Sequence, residues 1–198
     1  WLAVVGGGAA GVELALAIAY RLRRPSGAAA PRVVLACGGG LLAGHGTGVG
    51  KRARKALARP GVDIVEGWMV ADWIVAATGV RPPAWLARSG LALAPDGFVA
   101  AGPTQQSVSH AEVFAAGDIA SRIDAAHAKS GVYAVRAGPV LTRNLRLAIE
   151  GRETVPYLPQ RRSLYLLATG PKVAIVSWGG LSAAGHLAWL WKDWIDRR

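Results

Sequence analysis

Apolar and polar residues follow one another along this chain in blocks that read as alternating strands and helices. The first block, residues 2–5 (Leu-Ala-Val-Val), is a short apolar run and predicts a buried strand. A glycine cluster interrupts it. From residue 12 to 22 the apolar residues then keep helical spacing, as in Val12-Glu-Leu-Ala-Leu-Ala-Ile-Ala-Tyr20. Residues 23–31 carry Pro, Ser and Gly and predict a loop. A second strand is expected at 32–37, and a glycine-rich stretch at 38–50 leads to a short basic helix at 51–59. Pro60-Gly61 stops that helix before a third strand at 62–66. This alternation predicts an α/β protein with a parallel sheet and right-handed crossovers.

Residues 72–79 (Asp-Trp-Ile-Val-Ala-Ala-Thr-Gly) predict a further buried strand ending in a turn. Val80-Arg-Pro-Pro83 cannot continue regular pairing and predicts a crossover linker. A small strand is expected at 98–100, a strand then a turn at 112–118, and a helix over most of 130–149, which Pro139 should kink or begin. The tail predicts a hairpin of two strands, 163–168 and 172–177, and a terminal helix at about 183–196. On that helix Leu187, Leu190, Trp191, Trp194 and Ile195 share one face. Core or subunit packing, as in a homodimer, is one use for such a face; peripheral docking on a membrane surface is the other.

The composition, 198 residues with 52% hydrophobic, allows one large or two small domains with a real core. The single cysteine, Cys37, rules out an intramolecular disulfide and a Cys-x-x-Cys redox pair within the chain. It reads as a small buried hydrophobe, and a reducing, cytoplasmic setting is the expectation. No stretch reaches the ~18 apolar residues of a membrane span. The net charge of +11 gathers in basic clusters such as Lys51-Arg-Ala-Arg-Lys55 and Arg197-Arg198. Without aromatic interleaving or helix-turn-helix spacing, these predict no nucleic-acid binding. His45, His110, His127 and His186 show no metal-ligand spacing, so no metal is expected and no catalytic residue is assigned.

The glycine cluster carries the chemistry. Gly6-x-Gly8-x-x-Gly11 sits between a predicted strand and a predicted helix, the context a dinucleotide fingerprint needs. Gly6 permits a tight turn, Gly8 lets a pyrophosphate approach the backbone, and Gly11 allows close helix–strand packing. With Gly7, Ala9 and Ala10 they form the candidate nucleotide site, and the helix N-terminus offers free N–H groups. A glycine-rich turn with no ligand is the alternative. An Asp or Glu should end the second strand to bind a ribose 2′-hydroxyl. None stands anywhere from Leu14 to Val62, where nine Lys and Arg stand instead, so NADH against NADPH stays open.

Four segments together resemble the FAD-dependent pyridine nucleotide–disulfide oxidoreductases. Val4-Val-Gly-Gly-Gly-Ala-Ala-Gly-Val-Glu-Leu-Ala15 resembles their NAD(P)-domain motif, and Ile74-Val-Ala-Ala-Thr-Gly79 their Ala-Thr-Gly crossover strand. Val113-Phe-Ala-Ala-Gly-Asp118 resembles their second FAD motif. Ala128-Lys-Ser-Gly-Val-Tyr-Ala-Val-Arg136 resembles the flavin-facing helix start of the type II NADH dehydrogenase branch. The tail is similar to the NADH dehydrogenase-like flavoprotein domain found alongside selenide, water dikinase.

The resemblance implies a three-layer Rossmann-like fold with a small C-terminal α+β segment. It implies an NAD(P)-binding domain over 1–80, the later half of an FAD domain over 81–151, and a separate tail over 152–198. The family's first FAD half, a segment of roughly one hundred residues, is not among these residues, and its β-meander is missing between Gly67 and Asp72. FAD and NAD(P)H are the implied cofactors, with hydride passing through flavin to a quinone or another small acceptor. Beside the glycine turn, the implied contacts are Glu13, Thr78, Gly79, Gly117, Asp118, Lys129, Ser130, Gly131 and Val132. Glu13 is expected in the first helical turn, near the nicotinamide or simply as a favourable acid there. Asp118 is expected at a strand's carboxyl end, as a flavin ligand or a helix N-cap, and Ser130 reads equally as an ordinary N-cap. A non-catalytic nucleotide-binding module, or a partner of selenophosphate synthesis, is the alternative function.

Overall fold

The computed structural model describes residues 1–23, 31–67 and 69–197. Residues 24–30 of the expected first loop, Trp68 in the shortened connection and Arg198 of the terminal basic pair lie outside them. The chain forms two compact units, residues 1–79 with 162–198, and residues 80–161. The sequence predicts the tail as a segment apart; instead its greater part joins the first unit and residues 152–161 the second.

In the first unit, β1 (Leu2–Val5), β2 (Val33–Ala36), β3 (Asp63–Val65) and β4 (Trp73–Ala76) form a parallel sheet in the order β3-β2-β1-β4. Val5 pairs with Ala36 on one side and Ala76 on the other, so three strands end level. Every residue of β2 is buried, as an inner strand of a covered parallel sheet requires. Helix α1 (Ala9–Leu22) lays Val12, Ala15, Leu16 and Ala19 on this core, and α2 (Thr47–Ala58) adds Val49, Ala53, Ala56 and Leu57. Both helices begin earlier than their apolar patterns predict. For α1 the reason is local: Gly8 takes the N-cap position, and Ala9 and Ala10 are strong helix formers.

Strand β4 departs from expectation. It lies at the sheet edge with Trp73 72% and Ile74 64% exposed, not buried. Only residues 66–72 connect β3 to β4, fewer than the dozen or so that a helical crossover needs, so this connection brings no helix onto that edge.

The second unit holds β5 (Val99–Ala101) and β6 (Ala120–Arg122), paired in parallel, and α3 (Gly131–Ile149). Leu86, Val99, Ala101, Ala115 and Ala120 form its core. The strand expected at 112–118 is not there; Phe114 makes a single bridge, and the paired strand is β6, which follows Gly117-Asp118. Pro139 lies well inside α3, neither at its first turn nor ending it. Asn144 is fully buried, donating to the carbonyls of Thr104 (2.9 Å) and Val155 (2.8 Å) and accepting from Val155 N–H (2.8 Å). These bonds fix α3 to two loops of its unit.

The tail returns to the first unit as β7 (Leu164–Gly170), β8 (Val173–Trp178) and β9 (Leu181–Gly185), an antiparallel sheet of three strands where two are predicted. Gly179 and Gly180, at φ 53° and 91°, form the two-residue turn that makes the third strand. Helix α4 (His186–Asp196) accordingly starts after β9. Leu167 and Ile175 enter the core formed by α1 and α2; α1 contacts both sheets, and α2 contacts the antiparallel one. Helix α4 buries Ala188, with Trp189 and Lys192 half-buried, while Leu187, Leu190, Trp191, Trp194 and Ile195 are exposed. The predicted apolar face is thus the outward one. Among the described residues no helix is long and apolar enough to cross a membrane.

Candidate functional site

The carboxyl ends of β1 and β4 place Gly6–Gly11 beside Thr78 and Gly79, the end where open α/β sheets bind ligands. Gly6 has φ 131°, and a methyl there would overlap the Ala77 carbonyl. A methyl on Gly11 would overlap the Gly6 carbonyl, which is why strand and helix can pack this closely. Gly7 is hemmed in by Gly40 and Cys37, and Leu42 N–H donates to its carbonyl at 2.7 Å. Gly8 differs: a side chain there would meet nothing within 4 Å. It caps α1 with no side-chain bond, and the first intrahelical bond runs from Val12 N–H to Gly8 O (3.1 Å). The N–H groups of Ala9, Ala10 and Gly11 have no intrahelical acceptor and lie at the positive end of the helix.

Glu13 stands one turn further on than expected, because α1 begins at Ala9. Its carboxylate accepts the Ala168 N–H at 2.7 Å, with Lys192 Nζ at 3.8 Å. Glu13 thus joins α1 to β7 and α4. Cys37, just past β2, is buried, and burial pushes its thiol up. It is followed by Gly38 and Gly39, both exposed.

In the second unit, Gly117, Asp118, Lys129 and Ser130 line one narrow cavity of about 20 Å³. Asp118 is exposed and lies in a short turn, Gly117–Ile119, that leads into β6, so it does not end a strand. Lys129 Nζ donates to Ala120 O and Ser121 Oγ, both at 2.9 Å, and lies 3.7 Å over the Phe98 ring. Ser130 holds the N-cap position of α3 without a side-chain capping bond. Gly131 and Val132 open the helix with N–H groups that have no intrahelical acceptor.

Three residues that sequence reasoning missed complete the cavity: Gln105, Arg122 and Tyr157. The Arg122 side chain is 3% exposed and grips Asp124 by two bonds of 2.8 Å, which hold that carboxyl below the usual aspartate range. Arg122 Nη1, Gln105 Oε1 and Ser130 Oγ are buried with no partner among the described residues, and all three residues line this cavity. Unpaired buried polar atoms are costly, so the cavity is suited to one polar group carrying both donor and acceptor. A polar edge of a flavin fits that description, whereas an enclosed ring does not fit the volume.

The glycine turn on a parallel sheet defines a Rossmann-type nucleotide-binding fold. Solved structures give that fold a closer setting. The chain is similar to NDH2 from Plasmodium falciparum in complex with NADH, at TM-score 0.80 and 10% identity, over 98% of this chain and 61% of that one. It is similar to a FAD-dependent pyridine nucleotide-disulphide oxidoreductase from Desulfovibrio vulgaris (TM-score 0.66, 20% identity, 88% of this chain and 48% of that one). It also resembles the water-forming NADH oxidase from Lactobacillus brevis bound to NADH (TM-score 0.67, 22% identity, 90% and 42%). The chain has the fold of these oxidoreductases and spans between 42% and 61% of their length. It matches no protein-family model and no curated protein.

Proposed function

We propose that this chain is part of a flavoprotein oxidoreductase that takes hydride from NAD(P)H. The observation that carries the reading is the Gly6–Gly11 turn, where the backbone at Gly8 is open and the first N–H groups of α1 have no intrahelical acceptor, a setting suited to a pyrophosphate. Thr78, just past β4, lies beside Gly6 of this turn. In the second unit Gly117, Asp118 and the Lys129–Val132 helix start would hold FAD, with Arg122, Gln105 and Ser130 offering unpaired polar atoms to its edge. Bound flavin supplies the redox chemistry, and the protein supplies position and charge. The N-terminus of α3 and the Lys129 ammonium favour negative charge nearby. These residues hold one cysteine and so no dithiol pair of their own, and we take a quinone or another small acceptor as the oxidant.

The test is reconstitution. Purified protein incubated with FAD and desalted should keep flavin absorbance and oxidise NAD(P)H with a soluble quinone. Loss of all flavin together with no oxidation sinks the reading. A second reading, a nucleotide-binding module without turnover, is favoured by the small cavity of the second unit. NAD(P)H binding without flavin retention would select it.

A further inference from the structure

The first unit has a second opening, away from the glycine turn. Leu16, Tyr20 and Arg23 follow one another along α1 at the i, i+4, i+7 spacing that puts them on one face. Ala56 and Arg59 do the same at the end of α2, and the turn between β7 and β8 brings up Pro171 and Val173. These three pieces line a cavity of about 230 Å³ that lies within the one unit. Helix α1 has 14 residues at ~1.5 Å rise each, so the cavity at its end lies roughly 20 Å from the glycine turn.

Its lining divides by chemistry. Leu16 and Ala56 are buried and Val173 is half-buried, which gives an apolar wall, whereas Arg23 and Arg59 are exposed at the mouth. No Asp or Glu lines it. Arg23 Nη1 donates to the Arg59 carbonyl at 3.4 Å, and neither guanidinium is paired with a carboxylate among the described residues. The Tyr20 hydroxyl has no hydrogen-bond partner among them either. Donors without acceptors beside an apolar wall suit an anion that carries an apolar body, and the planar guanidinium matches a carboxylate. The volume falls below the roughly 300–1,000 Å³ of sites for drug-sized ligands, so that body is small.

We propose that this cavity is a second ligand site, for a small carboxylate with an apolar body. Arg23 and Arg59 hold the carboxylate, and the body lies against Leu16, Ala56 and Val173. The proposal does not rest on the nucleotide reading. Octanoate is the probe, titrated into the full chain and followed by calorimetry and amide NMR. It should shift the amides of Tyr20, Arg59 and Gly170, and excess NADH should not displace it. 1-Octanol, which lacks the charge, should bind roughly 10-fold more weakly. Acetate, which lacks the body, should not bind measurably, since each buried methylene is worth about fourfold in affinity. Arg59→Gln should weaken octanoate about 5-fold, the upper range for an ion pair that water still reaches. Lys51→Gln, on the same helix but outside the cavity, should leave it unchanged. Equal binding of octanoate and 1-octanol, shifts confined to the exposed face of α4, displacement by NADH, an equal loss in both variants, or no binding at all would overturn the proposal.

Discussion

Replacing Leu167 by alanine tests whether the tail truly completes the first unit. Leu167 lies on β7, is 1% exposed, and belongs to the core that α1 and α2 share. Truncation forfeits about 2 kcal/mol of burial and leaves a cavity worth about 1–2 kcal/mol more. The first unit should therefore lose about 3–4 kcal/mol, a large share of a typical domain's stability. With a urea slope of about 2 kcal/mol per M, the midpoint should fall by about 1.5–2 M. Tryptophan fluorescence is the assay, since seven of the eight tryptophans (all but Trp85) belong to this unit. Leu181→Ala, at an exposed position of β9, is the control and should stay within about 0.5 kcal/mol. If Leu167→Ala unfolds where the parent protein does, the tail does not share that core.

Three further outcomes are expected. Gly11→Ala should melt well below the parent and lose nicotinamide-nucleotide binding, because its methyl overlaps the Gly6 carbonyl; Gly8→Ala should keep the fold and lose affinity alone, read by thermal melts and titration. Arg122 depresses the Asp124 carboxyl below its ordinary 3.8, so this pair's stabilisation is present above that pH and is lost as pH falls through the lower folded value. Acid melts of Asp124→Asn should show a flatter loss there. Burial lowers the His45 imidazole below 6.5, so the unfolded chain binds its proton first. Stability should drop as pH falls below that value, and His45→Asn should remove this dependence in melts between pH 8 and pH 5.

The strand, glycine turn and first helix were legible because spacing alone distinguishes a buried run from a helical stripe, and Gly6, Gly8 and Gly11 occupy fixed offsets between them. The missed strand β9 had a signal, since Gly179-Gly180 is a hairpin dipeptide, but the helical stripe behind it claimed Ala183 and Ala184. The exposure of β4 had no signal in Trp73 and Ile74, which look buried; it depends on the short connection before them. Arg122 and Gln105 were invisible for a different reason. A single polar residue carries no periodicity, and its burial is decided by loops around it. The face of α4 was legible as a stripe but not its direction, and of the uses left open the core one falls away, because Ala188 is buried while Leu187, Leu190, Trp191, Trp194 and Ile195 are exposed.

The discontinuous first unit has a consequence for synthesis. When residues 1–79 have left the ribosome, Leu167 and Ile175 are still to come, beyond the whole second unit. Residues 80–161 have the means to settle as a unit of their own while the nascent nucleotide half waits with the outer sides of α1 and α2 uncovered. Any pause or premature stop before residue 162 therefore strands apolar surface on residues 1–79. The glycine turn is translated well ahead of the tail strands that complete its unit.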